Sequence, residues 1–284
     1  MTNQAANLLP RLPRISVVIP SFNQAPFLED AISSVLEQGY PDLELFVMDG
    51  SSTDGSKAII ERYADRLTYW QSRQDKGQID ALIQGFGRAT GEVMGWVNSD
   101  DVLLPHALQR IAEAYVENPS AGMFIGNFIL IDSKGAITRC KRNPPQVSWF
   151  GQHGKSVINP DWFFSRCDFE LAGGLTPNLD FGMDTDLSFK MILCGSQPAF
   201  VDSYLIGFRK HPASKGVSKP DCVREDRRQI EAFLRQRGVV FNHPLCILAY
   251  VALQVANGNY LRMILESREA RGQYWRDWCA ARYR

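Results

Sequence analysis

Four polar residues, Asn98, Ser99, Asp100 and Asp101, directly follow an apolar run at residues 93–97. Clustered side-chain oxygens suit a hard divalent cation, because magnesium and manganese bind oxygen and bridge one or two carboxylates to substrate phosphates. The same acids have a structural use, since a helical pattern opens just after Pro105 and an aspartate can cap it. A second acidic pair, Asp184 and Asp186, begins another helical pattern with Leu187, Phe189 and Met191 among its apolar residues. Carboxylates at i and i+2 point in different directions, so one can cap the helix while the other projects into a cleft.

These groups act together only if the fold gathers them, and the hydrophobic periodicity says how. Residues 15–19, 43–48, 67–71 and 93–97 are apolar, β-rich runs, and residues 27–38, 56–63 and 78–88 between them repeat at helical spacing. Alternation of this kind predicts a mostly parallel sheet flanked by helices. Ligands of such sheets sit beyond the carboxyl ends of the strands. The loops carrying residues 21–23, Asp49 with Asp54, residues 75–77 and residues 98–101 should therefore line one cleft. Beyond a helix reaching residue 116, residues 123–131 and 135–140 predict a hairpin turning at 132–135. A strand near 200–208 and two helices, at 221–237 and 244–266, complete the chain.

Composition removes other classes. The chain has 284 residues, with 31 Lys plus Arg against 31 Asp plus Glu, so no net field would hold it on nucleic acid. Six cysteines without CxxC spacing predict free thiols rather than a disulfide framework or a zinc site. Residues 1–14 read as a disordered leader without signal-peptide character, and the longest apolar stretch, 245–255, is about half of the ~20 residues a spanning helix needs. A cytoplasmic location is expected, with peripheral contact at the inner face of the membrane as an option.

Taken in order, SVVIPSFN (16–23), DGSSTDGS (49–56), DKGQIDA (75–81), GEVMGWVNSDD (91–101), GGL (173–175) and MDTDLSFKM (183–191) resemble inverting glycosyltransferases of family 2, of the bacterial polysaccharide or O-antigen type. The resemblance extends over about residues 15–215 and implies a GT-A fold. That is an α/β architecture with a Rossmann-like nucleotide-binding half at 15–104, a mixed-sheet acceptor half at 105–220, and a C-terminal helical extension at 221–284. It further implies a nucleoside-diphosphate sugar as donor, with UDP favoured, and Mn2+ or Mg2+ as cofactor. The acceptor would be a glycan or lipid-linked glycan hydroxyl.

By the same resemblance Pro20, Ser21, Phe22, Asn23, Asp49, Asp75, Gly77, Asn98 and Ser99 hold the nucleotide. Phe22 offers a face to the base, and the carboxylates accept from imide or ribose hydroxyls. Asp100 is the principal metal ligand, with Asp101 and His211 beside it, and Asp184 is the general base, with Asp186 a brace. Arg209 and Lys215 are candidate phosphate partners. Asn159 and Trp162 are candidate acceptor contacts, with core packing the equal alternative for the indole. The chain departs from the family where Asn98 replaces the first acid of the Asp-x-Asp signature, where Met183 replaces the acid before the base, and at Ile83, where relatives often carry Asn.

Two rivals are weighed against this reading. A dinucleotide-dependent oxidoreductase fails because Gly85, Gly87 and Gly91 end a helix and precede a strand, the reverse of a phosphate-binding fingerprint. A nucleotide-sugar binding module without catalysis is the alternative that Asn98 and Met183 motivate. The arginine- and aromatic-rich tail, with Arg262, Arg268, Arg271, Tyr274, Trp275 and Trp278, could touch an anionic membrane or form a homodimer contact.

Overall fold

The computed structural model describes residues 11–155, 162–177, 179, 181–215 and 220–283. The first half winds as the alternation dictates: β1 (Ile15–Ser21), α1 (Ala25–Leu36), β2 (Leu43–Asp49), α2 (Ser56–Tyr63), β3 (Tyr69–Ser72), α3 (Gln78–Phe86) and β4 (Val93–Trp96). β1 lies between β2 and β4, β3 flanks β2, and all four are parallel. Their carboxyl ends therefore share one edge.

Helices cover both faces, which is why these strands are continuously apolar rather than alternating. Ile15, Val17 and Ile19 share a core with Leu28, Ile32 and Val35 of α1 and with Leu108 and Ile111 of α4 (Ala107–Glu117). Val18, Phe46, Met48 and Trp96 pack with Ile79, Leu82 and Phe86 of α3 on the other face. Gly85 sets the closeness of that contact: a β-carbon there would lie 2.5 Å from Val18 Cγ1. Gly85, one of the glycines that a phosphate fingerprint would claim, thus serves helix-to-sheet packing.

In the second half come β5 (Val102–Leu103), β6 (Ala121–Ile131), β7 (Ile137–Lys141), α5 (Val147–Gln152), β8 (Phe163–Ser165), α6 (Arg166–Leu171), α7 (Met183–Leu193) and β9 (Gln197–Arg209). The β6–β7 hairpin turns where predicted, with the Gly135 N–H donating to the Asp132 carbonyl at 3.0 Å. β8 was not predicted; three residues are too few to carry a periodicity. It is nevertheless the topological key, inserted antiparallel between β4 and β6. Two reversals restore the direction, so β6, and β9 parallel to it, run the same way as β4. The carboxyl end of β9 accordingly lies on the edge where the first four strands end.

Four helices close the chain: α8 (Pro220–Arg235), α9 (Pro244–Ala256), α10 (Asn259–Ala270) and α11 (Trp275–Arg282). The helix expected at 244–266 breaks at Gly258, whose φ of +67° is left-handed. The helices expected at 221–284 pack back on the sheet. Trp275, Trp278 and Cys279 of α11 bury against Val102, Leu104, Ile129 and Tyr204 of the sheet, and Arg276 pairs with Glu37. The tail aromatics are core residues, so they have no face to lay on a membrane. Residues 11–14, expected in the leader, are also part of the domain: the Arg14 N–H donates to Glu92, its guanidinium to Asp42, and Leu12 packs on the core. Among the described residues, no helix is long and apolar enough to cross a membrane.

Candidate active site

The loop after β1 is stitched to the loop after β2. The Asn23 N–H donates to Ser52 Oγ at 2.7 Å, the Thr53 N–H donates to Asn23 Oδ1 at 2.9 Å, and the Ala25 N–H donates to Asp54 Oδ2 at 2.8 Å. Asp54 thus satisfies a donor at the start of α1 from a different loop. The stitching leaves Phe22 at the rim, 61% exposed. Ser21 Oγ is buried without a hydrogen-bond partner among the described residues.

Asp49 does not do what was expected of it. Its carboxylate is fully buried and accepts from the Ser52 N–H, Ser52 Oγ and Ser72 Oγ at 3.0, 2.5 and 2.7 Å. It holds the loop rather than offering an oxygen to a nucleoside. Asp75 remains available: half-buried, it accepts from the Gly77 N–H at 2.8 Å. Burial pushes its carboxyl up, the Gly77 N–H opposes this, and Asp80 and Asp49 add to the rise. Gly77 opens α3 with φ of +107°, and Ile83 stands on that helix's exposed side.

After β4 the four polar residues separate by role. Asn98 is fixed at both ends of its amide, Oδ1 accepting from Gln78 Nε2 at 2.6 Å and Nδ2 donating to Asp101 Oδ2 at 3.1 Å. Ser99 is buried. Asp101, expected beside the metal, is 1% exposed, and its other oxygen accepts the Arg209 N–H at 2.6 Å. It braces β9. Arg209 is likewise withdrawn from phosphate: buried, it donates to the Asp100 carbonyl, pairs with Asp30 at 3.0 Å and lies over the Phe27 ring. That lattice anchors the end of β9 to the loop after β4.

The consequence is a contact between two of the residues expected near a metal. His211 Nε2 lies 3.0 Å from Asp100 Oδ2, and the Asp100 side chain is 21% exposed. The imidazole also packs on Phe27, with ring centres 4.6 Å apart. Among the described residues no cluster of three acids, histidines or cysteines could enclose a metal. Two donors fit Mg2+ or Mn2+ of the kind completed by substrate phosphates and water, and do not fit a cation caged by protein alone.

Asp184 is carried by the first turn of α7. α7 precedes β9 and leads into its amino end, which puts the helix N-terminus on the carboxyl edge of the sheet. Asp226 of α8 fixes that start, its carboxylate accepting from the Phe181 and Gly182 N–H groups at 2.5 and 2.9 Å. No local signal marks Asp226; only the packing of α8 on α7, through Phe189, Ile230 and Leu234, brings it there. Asp186 braces as expected: it accepts from Thr176 Oγ1 at 2.7 Å and lies near Lys190, whose Nζ donates to the Gly174 carbonyl. Asp184 Oδ1 accepts the Thr185 N–H at 2.6 Å. Even so, its burial outweighs that hydrogen bond, and the carboxyl is pushed up to about 6.

Trp162 is 1% exposed, its ring edge-on to Trp96 and tilted on Phe164. The acceptor role expected for it gives way to the core alternative. Asn159 lies outside the described residues.

Comparison with known proteins follows the same line. The family described as glycosyl transferase family 2 matches residues 16–174, more than half of the chain. The chain belongs to glycosyl transferase family 2. A glycosyltransferase of Nostoc sp., itself uncharacterized, is 36% identical over 140 residues, covering 48% of this chain and 43% of its own. A Campylobacter jejuni GalNAc(5)-diNAcBac-PP-undecaprenol beta-1,3-glucosyltransferase is 31% identical over 132 residues, 45% of this chain and 42% of that protein. The chain thus spans less than half the length of these two relatives. Among solved structures, S. aureus TarS 1-349 in complex with UDP-GlcNAc superposes with TM-score 0.63 at 18% identity, over 77% of this chain and 66% of that one. The mannosyltransferase PcManGT from Pyrobaculum calidifontis, in complex with GDP-Man and Mn2+, gives 0.61 at 18% identity over 95% and 84%. The chain therefore has the GT-A fold that its motifs imply.

Proposed function

We propose that this glycosyltransferase moves a sugar from a UDP-linked donor to the hydroxyl of a glycan or lipid-linked glycan, inverting the anomeric centre in a single displacement. The observation that carries the reading is Asp184. Its carboxyl, pushed up to about 6, starts a helix whose N-terminus lies on the strand edge that also presents Asp100 and His211. A base of that strength is ionised at neutral pH yet basic enough to take a proton in the transition state, which is worth roughly 10²–10⁴ in rate.

In this mechanism the acceptor hydroxyl gives its proton to Asp184 as its oxygen attacks the anomeric carbon. The bond to the diphosphate breaks on the far side. Phe22 stacks on the base, and Asp75 accepts from the nucleoside. Gln78 and Asp101 hold the Asn98 amide in one orientation toward the ribose. Asp100 and His211 would hold Mn2+ or Mg2+, which when bound offsets charge on the departing diphosphate. No protein acid is needed at the leaving group. The undecaprenol-linked substrate in the Campylobacter relative's name, and the teichuronic acid biosynthesis in that of a Bacillus subtilis relative, favour cell-surface polysaccharide or glycolipid synthesis at the cytoplasmic side.

Thermal unfolding with UDP, GDP and their sugars, with and without Mn2+, tests donor and metal together, because a ligand of the native state raises stability. Stabilisation by UDP that needs Mn2+, followed by transfer or slow hydrolysis of a UDP-sugar, is expected. Tight metal-assisted binding with no release of sugar from any donor would leave the catalytically inactive module as the answer.

A further inference from the structure

The part of the C-terminal region that faces solvent is not its aromatic tail but the pair α9 and α10. α9 contains no Lys, Arg, Asp or Glu from Pro244 to Ala256. Cys246, Ala249, Tyr250 and Leu253 pack inward, while Leu245, Leu248 and Val255 stand 69%, 65% and 63% exposed. Leu261, Ile264 and Leu265 continue the exposed apolar surface on α10, at 62%, 51% and 55%. A helix apolar on all sides is normally enclosed, and a continuous exposed patch of this kind marks an interaction surface.

Length and charge decide what covers it. The two helices have 13 and 12 residues, well short of the ~20 needed to cross a bilayer, but suited to lying in its interface. Arg268 follows Ile264 and Leu265 on the same helical face, Arg262 borders Leu265, and Arg271 comes one turn later; all three are exposed. Of the acids on α10, Glu266 is turned inward to Arg142, Arg282 and Tyr204, leaving Glu269 outward. A second copy docking by two-fold symmetry would set these arginines against their own mates. An anionic lipid surface would instead attract each of them.

We propose that α9 and α10 form an in-plane docking surface for an anionic lipid membrane. α9 packs through Tyr250 on Phe150 of α5, and α5 packs on α7, which carries Asp184 in its first turn. The surface is therefore linked to the site by one short helix. Docking there would present the cleft to acceptors anchored in the same lipid layer.

Flotation of the full chain with vesicles of phosphatidylcholine alone, or of phosphatidylcholine with phosphatidylglycerol, tests this without donor or transfer. Its outcome is therefore independent of the proposed activity. The chain should float with the anionic vesicles and less with the neutral ones. Arg262→Gln with Arg268→Gln should lower affinity for the anionic vesicles roughly 25-fold at low salt, about fivefold for each arginine, and leave neutral vesicles unaffected. Leu248→Glu with Leu261→Glu should abolish flotation on both, with an unchanged thermal transition because both side chains already face water. If the glutamate pair lowers the transition, Leu248→Ser with Leu261→Ser takes its place and should weaken flotation on both vesicle types. A wild-type chain that does not float, or apolar-face variants that float like wild type, would overturn the proposal. So would a wild-type dimer that the Leu248 and Leu261 changes convert to monomer without any vesicle binding, which would give the face to a second copy.

Discussion

Replacing Asp184 with asparagine separates the chemistry of the site from its cost to the fold. The folded carboxyl titrates at about 6, whereas an unfolded aspartate titrates near ~3.9. Because the folded value is the higher one, the native chain holds this proton more tightly than the unfolded chain does. The contribution to stability is complete below about pH 4 and is lost as pH rises through about 6. At pH 8 the wild type carries a desolvated charge, and ~2 pH units at ~1.4 kcal/mol each set an upper bound of about 3 kcal/mol on its cost. The side chain is half-buried rather than sealed, so solvent screening brings the expected figure to about 1–3 kcal/mol. Asparagine keeps an Oδ1 to accept the Thr185 N–H and carries no charge. The variant should therefore resist denaturant better than wild type at pH 8, by that amount, and the gap should close by pH 4. Its transfer rate should fall roughly 10²–10⁴-fold, and wild-type activity should rise with pH up to about 6 and then level. Denaturant melts at both pH values, alongside transfer assays, check both halves. A stability gap that ignores pH, or a variant weaker than wild type at pH 8, refutes the burial argument; near-normal transfer removes the base assignment.

Asp100 and Asp101 should divide cleanly: Asp100→Asn should weaken Mn2+-assisted UDP binding by at least the ~10–100-fold that a metal's supporting partner is worth, with His211→Gln smaller. Asp101→Asn should leave that affinity near wild type and lower stability by about 1–3 kcal/mol, read by calorimetry and melts respectively. Phe22→Ala should cost nucleoside binding about 1–3 kcal/mol, the worth of one stacked base, with no change in melting because the ring is exposed. Trp162→Ala should destabilise by about 3–5 kcal/mol, whereas Trp162→Phe should leave the acceptor KM unchanged.

Much of this protein is legible along the chain. The four parallel strands and their helices are strongly periodic over short spans, and the resemblance of the loop motifs singles out Phe22, Asp100 and Asp184, the residues proposed here for base stacking, metal binding and proton transfer. The contact of His211 with Asp100 could not be read from the chain, because the two are joined by the pairing of β9 with β6 and by β8, a three-residue strand with no sequence signature. Which acid does what was decided in three dimensions. Asp49, Asp100 and Asp101 are the same residue type in similar loops, and burial with local donors turns Asp49 and Asp101 into braces while Asp100 stays at the surface. The tail shows the same division. Tryptophans and arginines in one segment fit either a core or a lipid surface, and the docking of α11 on the sheet buries Trp275 and Trp278. Composition states what a side chain can do; the field, solvent and partners it meets come from residues distant in sequence.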